Sequence, residues 1–264
     1  MTVQSKRLAL ITGASYGIGE ALARALALRG YDLFLVARSE ERLRSLSQKL
    51  AQEHPIRAEW LAMDLAEPEA AQRLYDETSR RGYTIDLLIN NAGFGSYGEF
   101  ARLPLEREVQ MIELNVVTLI KLTRLYLPEM LRRGAGTIVN VASTAGFQPV
   151  PYMATYAATK AFVLNFSEAL WAETRGSGVH VLALCPGPTR TEFQRVAGMA
   201  ERLQKKPMQT AEEVVETCLR AMGRQDGFVI SGWANRLMVA AERLAPRSFI
   251  ASVAADLMRP RTRA

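Results

Sequence analysis

Two cysteines, Cys185 and Cys218, are all that 264 residues contain. Their spacing matches no metal-binding pattern, so no metal site is expected, and the count argues against a disulfide framework and fits a reducing compartment. No uninterrupted apolar run reaches the roughly 20 residues that span a bilayer. Met1 to Arg7 runs almost directly into a strand-like segment, so no signal peptide is expected and a cytoplasmic location is. The net charge of +6 is uneven: from Trp233 onward six Arg face Glu242 and Asp256, a balance of +4, which leaves +2 for the rest. Such a body lacks the basic field of a nucleic-acid binder, and no nucleic-acid partner is expected. There is no repeat, no low-complexity stretch and no linker long enough to divide the chain. Apolar content of 48% and charged content of 23% fit one soluble α/β domain over residues 1–264, with a core at about 6–231 and a helical tail at about 232–264.

What is present is a regular alternation. Arg7–Thr12, Tyr31–Ala37, Arg57–Ala62, Asp86–Ile89, Thr137–Ala142, Val179–Leu184 and Phe228–Ile230 read as strands, with helical patterns between them. Continuous runs such as Leu8-Ala9-Leu10-Ile11 fit parallel strands covered on both faces. The first strand ends in Thr12-Gly13-Ala14-Ser15-Tyr16-Gly17-Ile18-Gly19 and leads into a helix. Glycines there let the backbone approach a pyrophosphate, and the helix N-terminus offers free N–H groups and a positive dipole end. A merely tight connection is the competing reading. The second strand ends in Ala37-Arg38, where a fold that binds the unphosphorylated dinucleotide usually places Asp or Glu for the ribose 2′-hydroxyl. A guanidinium there can grip a 2′-phosphate with paired hydrogen bonds, unless it is only an exposed loop charge. Ser39 with Glu40 and Glu41 reads as an N-cap and acidic first turn.

Asp64-Leu65 ends the third strand, and the Asp64 carboxylate suits either an adenine amino group or the cap of the next helix. Pro68 is expected at that helix's first position. Asn90-Asn91-Ala92-Gly93 follows the fourth strand, at the carboxyl edge where open α/β sheets bind ligands. A single helix is expected from Leu105 to Leu131, with Asn115 inside it as a place for a bend or a bound water, since its amide competes for backbone hydrogen bonds. The fifth strand delivers Ser143. A helix running to about Arg175 carries Tyr156 and Lys160 one turn apart. A phenol, with a reference pKa of about 10, is a poor acid at neutral pH, and a nearby ammonium lowers that pKa. The pair suits proton exchange with a substrate oxygen that Ser143 also hydrogen-bonds. Cys185-Pro186-Gly187-Pro188-Thr189 follows the sixth strand, and Thr210-Ala211-Glu212-Glu213 has capping-box spacing.

These motifs, in this order, resemble the classical short-chain dehydrogenase/reductase family over roughly Lys6 to Ser231. The resemblance implies a Rossmann-type, doubly wound fold with a seven-stranded parallel sheet and a C-terminal helical extension. It implies catalytic roles for Tyr156 as general acid/base, Ser143 as polariser of the carbonyl, Lys160 as holder of the nicotinamide ribose and depressor of the Tyr156 pKa, and Asn115 as anchor of a relay water. It implies a cofactor site made of Gly13, Ser15, Tyr16, Gly17, Ile18, Gly19, Arg38, Asp64, Leu65, Asn91, Ala92, Gly93, Tyr156, Lys160, Pro186, Gly187 and Thr189. Ala37-Arg38 resembles the NADP-preferring subgroup, so NADP(H) is the expected cofactor. Tyr16 stands where some such members carry a second basic residue, and Arg42, one turn beyond Arg38, is the candidate substitute. Cys185–Phe193 and the Arg-rich tail resemble a bacterial branch of the family.

The expected activity is carbonyl–alcohol interconversion by hydride transfer. Phe94, Tyr97, Phe147, Tyr152, Met153, Phe193 and Met199 are expected to line an apolar pocket for a small hydrophobic substrate, under a lid from Phe193 to Met208. A homodimer or homotetramer is expected on the helices around Leu105–Leu131 and Thr155–Arg175. In the tail, Ile250, Val253 and Leu257 recur at helical spacing. Packing on the body or a partner subunit is the favoured reading of that face, and a membrane surface met by Arg236, Arg243, Arg247 and Arg259 the less favoured one. A non-catalytic NADP sensor or scaffold on the same fold is the rival class. It would need none of Asn115, Ser143, Tyr156 and Lys160.

Overall fold

The computed structural model describes residues 6–199 and 208–260. The first half runs β1 (Leu8–Thr12), α1 (Gly17–Ala27), β2 (Asp32–Ala37), α2 (Glu40–Glu53), β3 (Ala58–Ala62), α3 (Ala70–Arg80), β4 (Leu87–Asn90) and α4 (Leu105–Ile112). The second half runs α5 (Leu119–Arg133), β5 (Gly136–Val141), α6 (Ala154–Glu173), β6 (Val179–Cys185), α7 (Phe193–Val196), α8 (Ala211–Arg224), β7 (Phe228–Ile230), α9 (Trp233–Glu242) and α10 (Arg247–Met258). Each strand lies within one residue of its expected bounds.

All strand pairs are parallel, and the sheet order is β3-β2-β1-β4-β5-β6-β7. Side chains alternate across a strand, and here the alternation sorts two cores. Ile11, Leu33, Leu35, Ile89, Val139 and Leu182 pack with residues of α1, α2 and α8. Leu10, Phe34, Val36, Leu88, Ile138 and Val181 pack with residues of α3 and α5 on the opposite face. That is why the central strands read as unbroken apolar runs. Truncating a fully buried member such as Leu10 to Ala would cost about 2–5 kcal/mol. The winding reverses between β1 and β4, which opens a crevice at their carboxyl ends.

Two expectations fail. The helix expected from Leu105 to Leu131 is three segments, because a π-helical stretch, Glu113–Thr118, separates α4 from α5. Asn115 lies in that stretch with its amide fully engaged, as described below, so the bend foreseen there is a widened turn. α3 begins at Ala70 rather than beside Pro68, because its N-cap, Glu69, adopts positive φ (59°). The capping box at α8 is present, with Thr210 accepting from the Glu213 N–H and Glu213 from the Thr210 N–H. The expected lid is described only in part, since residues 200–207 lie outside the described residues. Among the described residues no helix is long and apolar enough to cross a membrane.

Candidate active site

The floor of the crevice is tied by one buried hydroxyl. Thr12, at the end of β1, donates to the Ile89 carbonyl (3.1 Å) and accepts from the N–H groups of Asn91 and Ala92 (3.0 Å each). The Asn91 amide returns the bond to the carbonyls of Thr12 (2.9 Å) and Gly13 (3.0 Å). Gly13 has φ +65°, and a Cβ on it would lie 2.8 Å from the Asn91 amide. A Cβ on Gly19 would lie 2.2 Å from the Gly13 carbonyl oxygen. No side chain caps the α1 N-terminus at Tyr16, so its first N–H groups face the crevice as anion donors. Ser15 lies in the same turn, and Ile18 packs into the core beneath it.

At the end of β2, the Arg38 guanidinium is 66% exposed and lies 3.9 Å from the Asp64 carboxylate. Asp64 also accepts from the Ala66 N–H (3.0 Å). Leu65 is buried, and its carbonyl accepts the Thr118 hydroxyl (2.7 Å), so it anchors the π-helical stretch. Arg42 pairs with Glu192 (3.0 Å) and stands 5.9 Å over the Tyr16 ring.

At the centre, Asn115 spends its side chain on protein. Its amide donates to the Phe94 carbonyl (2.9 Å) and the Thr159 hydroxyl (3.2 Å), and its oxygen accepts the Phe94 N–H (3.1 Å). It clamps the chain after Gly93 against α6. Asn90, Asn140 and Ser167 continue a buried polar chain below, with links of 2.9 Å. Ser143 follows β5; its hydroxyl accepts from the Ala145 N–H (3.1 Å) and faces the Tyr156 phenol. Lys160 Nζ donates to the Val141 carbonyl (2.7 Å) and lies 5.8 Å from the centre of the Tyr156 ring.

The electrostatics depart from expectation. Burial pushes the Tyr156 phenol up to about 12, with the Ser143 hydroxyl partly opposing it. Burial also holds the Lys160 ammonium down to about 8. Lys160 was expected to depress the phenol. In the structure, desolvation dominates the phenol's ionisation.

Behind β6, the Pro186 carbonyl accepts the Thr144 N–H (2.9 Å), and Thr189 donates to the Gly187 carbonyl (2.9 Å). A Cβ on Gly187 would lie 2.3 Å from the Asn235 amide, so this glycine admits α9. Phe94, Met111, Met153, Tyr156, Ala197 and Met199 form one buried apolar cluster, edged by Tyr97, Phe193 and Met258. The Phe193 ring lies 5.2 Å from that of Tyr156. One expected pocket residue is elsewhere: Phe147 packs on Phe228 (6.0 Å) beside Val239. Tyr152 turns the chain at φ +65° with its carbonyl accepting the Gly98 N–H.

Sequence reasoning missed Thr12, Thr159 and Met258 as parts of the site. The two threonines act through long-range hydrogen bonds that no local spacing reports. Met258 arrives from the tail, where the Tyr97 hydroxyl donates to its carbonyl (2.8 Å). The tail's apolar residues are also split: Ile250 and Met258 are half-buried, whereas Phe249, Val253 and Leu257 are exposed.

A parallel sheet wound both ways from β1, with a glycine turn feeding α1 beside the reversal, is the architecture of enzymes that work with a bound dinucleotide. Comparison with known proteins narrows this. The model of the short chain dehydrogenase family matches residues 7–202, and the chain belongs to that family. It is 32% identical over 246 residues to a very-long-chain 3-oxoacyl-CoA reductase of Mus musculus, covering 90% of this chain and 75% of the relative. It is 37% identical over 191 residues to sulfoacetaldehyde reductase 2 of Chromohalobacter salexigens, covering 72% and 75%. The solved short-chain dehydrogenase from Sphingobium yanoikuyae, in complex with NADPH, superposes with a TM-score of 0.82 at 34% identity, over 98% of both chains. The protein is thus an oxidoreductase of the carbonyl–alcohol couple.

Proposed function

We propose that the protein is an NADP(H)-dependent reductase of small, apolar ketones or aldehydes, with Tyr156 as the proton donor. The observation that carries this reading is the buried Tyr156 phenol, faced by Ser143 and set in a cluster of apolar side chains. When bound, the nicotinamide would supply hydride to the carbonyl carbon. The chain's own residues do the rest. Ser143 and Tyr156 hydrogen-bond the carbonyl oxygen as negative charge grows on it; loss of one such donor typically costs about a hundredfold or more. Tyr156 then yields its proton to that oxygen. The phenol is protonated at neutral pH, as a donor requires, although burial, by raising its pKa, makes it a weaker acid. Lys160, still an ammonium at pH 7, holds the nicotinamide ribose from beside Gly93.

The residues present fit the cofactor. Gly13, Ser15, Tyr16, Gly17, Ile18 and Gly19 form the cradle for its pyrophosphate, closed by Asn91, Ala92 and Gly93. Asp64 and Leu65 border the adenine, and Pro186, Gly187 and Thr189 the nicotinamide. Arg38 takes the 2′-phosphate; it follows Ala37 at the end of β2, where an acid would repel that group. Bound NADPH in the Sphingobium enzyme supports this choice. Asn115 serves as the clamp under Gly93 and Phe94.

The relatives' substrates run from a very long acyl chain to sulfoacetaldehyde, so family membership leaves the substrate open. The apolar cluster favours a hydrophobic one. We place the enzyme in the cytoplasm as a homodimer or homotetramer. Leu105, Val109 and Ile112 on α4 and Phe162 on α6 are exposed and form the face for a second copy. The test is NADPH consumption across ketones and aldehydes of increasing apolar size, with light scattering at micromolar concentration. Turnover confined to small charged carbonyls would overturn the hydrophobic pocket, and a monomer would overturn the assembly.

A further inference from the structure

Three consecutive residues after β6 touch three different parts of the site. The Thr191 methyl carbon lies 2.9 Å from where a Cβ on Gly17 would stand. The Glu192 carboxylate lies 3.0 Å from the Arg42 guanidinium, on the first turn of α2. The Phe193 ring packs on the Tyr156 ring at 5.2 Å. Further along, the Val196 carbonyl accepts from Arg107 (2.6 Å), which holds the segment to α4. Glu192 therefore joins the segment covering Tyr156 to the helix that starts beside Arg38.

We propose that Glu192 sets cofactor choice by competing with the cofactor's 2′-phosphate for Arg42, so that binding the phosphate frees the Thr191–Val196 segment from α2. This rests on the NADP(H) reading above. Arg38 and Arg42 lie one turn apart, and Arg42 stands over the Tyr16 ring of the glycine turn, beside the ribose position. A phosphate gripped by Arg38 meets Arg42 as its next cation and Glu192 as a like charge. One guanidinium fork cannot serve a phosphate and a carboxylate at full strength. The Arg42–Glu192 pair is half-exposed, hence weak and screened by salt, and a dianion can displace it. Glu192 is not stranded when displaced, because Arg195 holds it at 3.0 Å. A cofactor without the phosphate leaves the bridge intact. Binding free energies are reciprocal: if the phosphate releases the segment, removing the bridge must strengthen phosphate binding by the same factor.

The test uses 2′,5′-ADP and 5′-AMP, which differ in the 2′-phosphate and lack the nicotinamide, titrated by calorimetry into the full chain. Glu192→Gln should tighten 2′,5′-ADP about three- to fivefold, with 5′-AMP changed less than about twofold. In an Arg42→Ala background the same substitution should change 2′,5′-ADP less than about twofold. Equal gain in both backgrounds would mean repulsion through space and would overturn the competition, as would unchanged or weaker binding to Glu192→Gln. Hydrogen exchange supplies a second readout. In the wild type, 2′,5′-ADP should speed amide exchange across Thr191–Val196 and 5′-AMP should not; slower exchange with 2′,5′-ADP would overturn release. The two readings fail separately. A wild type that binds both nucleotides equally refutes the NADP(H) reading. A wild type that prefers 2′,5′-ADP, with Glu192→Gln inert, refutes only the competition.

Discussion

The floor of the crevice and its roof are held by different forces. In the floor, Thr12, Asn90, Asn140 and Ser167 are nearly or fully buried and bonded strand to strand or strand to helix. In the roof, the Thr191–Val196 segment is tied by the half-exposed Arg42–Glu192 pair, by Arg107 and by the Phe193 ring against Tyr156, and the end of α10 is tied in part by the hydrogen bond from Tyr97 to Met258. Leu244, between α9 and α10, is 90% exposed. A buried polar network is costly to disturb, whereas an exposed pair contributes about 0–1 kcal/mol. The reacting groups thus stand on the rigid part, and the parts that decide what enters stand on the adjustable one.

That contrast can be broken most severely at the floor. Gly19→Ala would press a methyl group onto the Gly13 carbonyl and the Asn91 amide, 2.2 and 2.6 Å away, where only backbone movement gives relief. NADPH affinity should fall by at least about a hundredfold, as read by fluorescence titration. Near-normal binding would show the floor to be plastic. At the hinge between floor and roof, Arg38→Asp should remove an attraction and add a repulsion, reversing or abolishing a preference for NADPH over NADH in kcat/KM. Equal wild-type kcat/KM for the two would count against it.

The buried lysine gives a pH signature. Lys160 is held at about 8 against an ordinary 10.5. Between those values the unfolded chain binds a proton that the folded chain has released, so stability rises with pH from about 8 to 10.5, and the cost of burying the charge is fully present below 8. Burial raises the Cys185 and Cys218 thiols from an ordinary 9 and the Tyr156 phenol from an ordinary 10, so they act in the opposite sense above pH 9 and pH 10, and the clean window is pH 8 to 9. Urea midpoints of the wild type should climb across that window more steeply than those of Lys160→Met; equal slopes would place the titration elsewhere.

Roof substitutions should do less. Met258→Ala opens the edge of the apolar cluster, and should change KM for bulky ketones a few-fold, with kcat for a small ketone kept. A uniform loss for both ketones would make the tail structural. Leu244→Ser should leave stability within about 0.5 kcal/mol by urea unfolding.

The same division decided what could be read in advance. Strands were legible because burial on two faces leaves continuous apolar runs, as in Leu33-Phe34-Leu35-Val36. The turn at Gly13–Gly19 and the pair Tyr156–Lys160 were legible because their chemistry is local in the chain. Thr12 and Thr159 were not, since an ordinary threonine becomes a tie only when a distant strand or helix reaches it. The π-helical break at Asn115 was half legible: the misplaced amide marked the spot, but the Phe94 backbone that claims it is 21 residues away. Phe147, assigned to the pocket, follows the turn after Ser143 away from Tyr156, and only the packing of Phe228 and Val239 shows where it goes.

The central claim is that Tyr156 carries the proton. Tyr156→Phe keeps the ring against Phe193 and removes only the hydroxyl. NADPH affinity should stay within about twofold while single-turnover reduction of an apolar ketone falls by at least about a hundredfold. Near-normal turnover with NADPH bound would contradict the account.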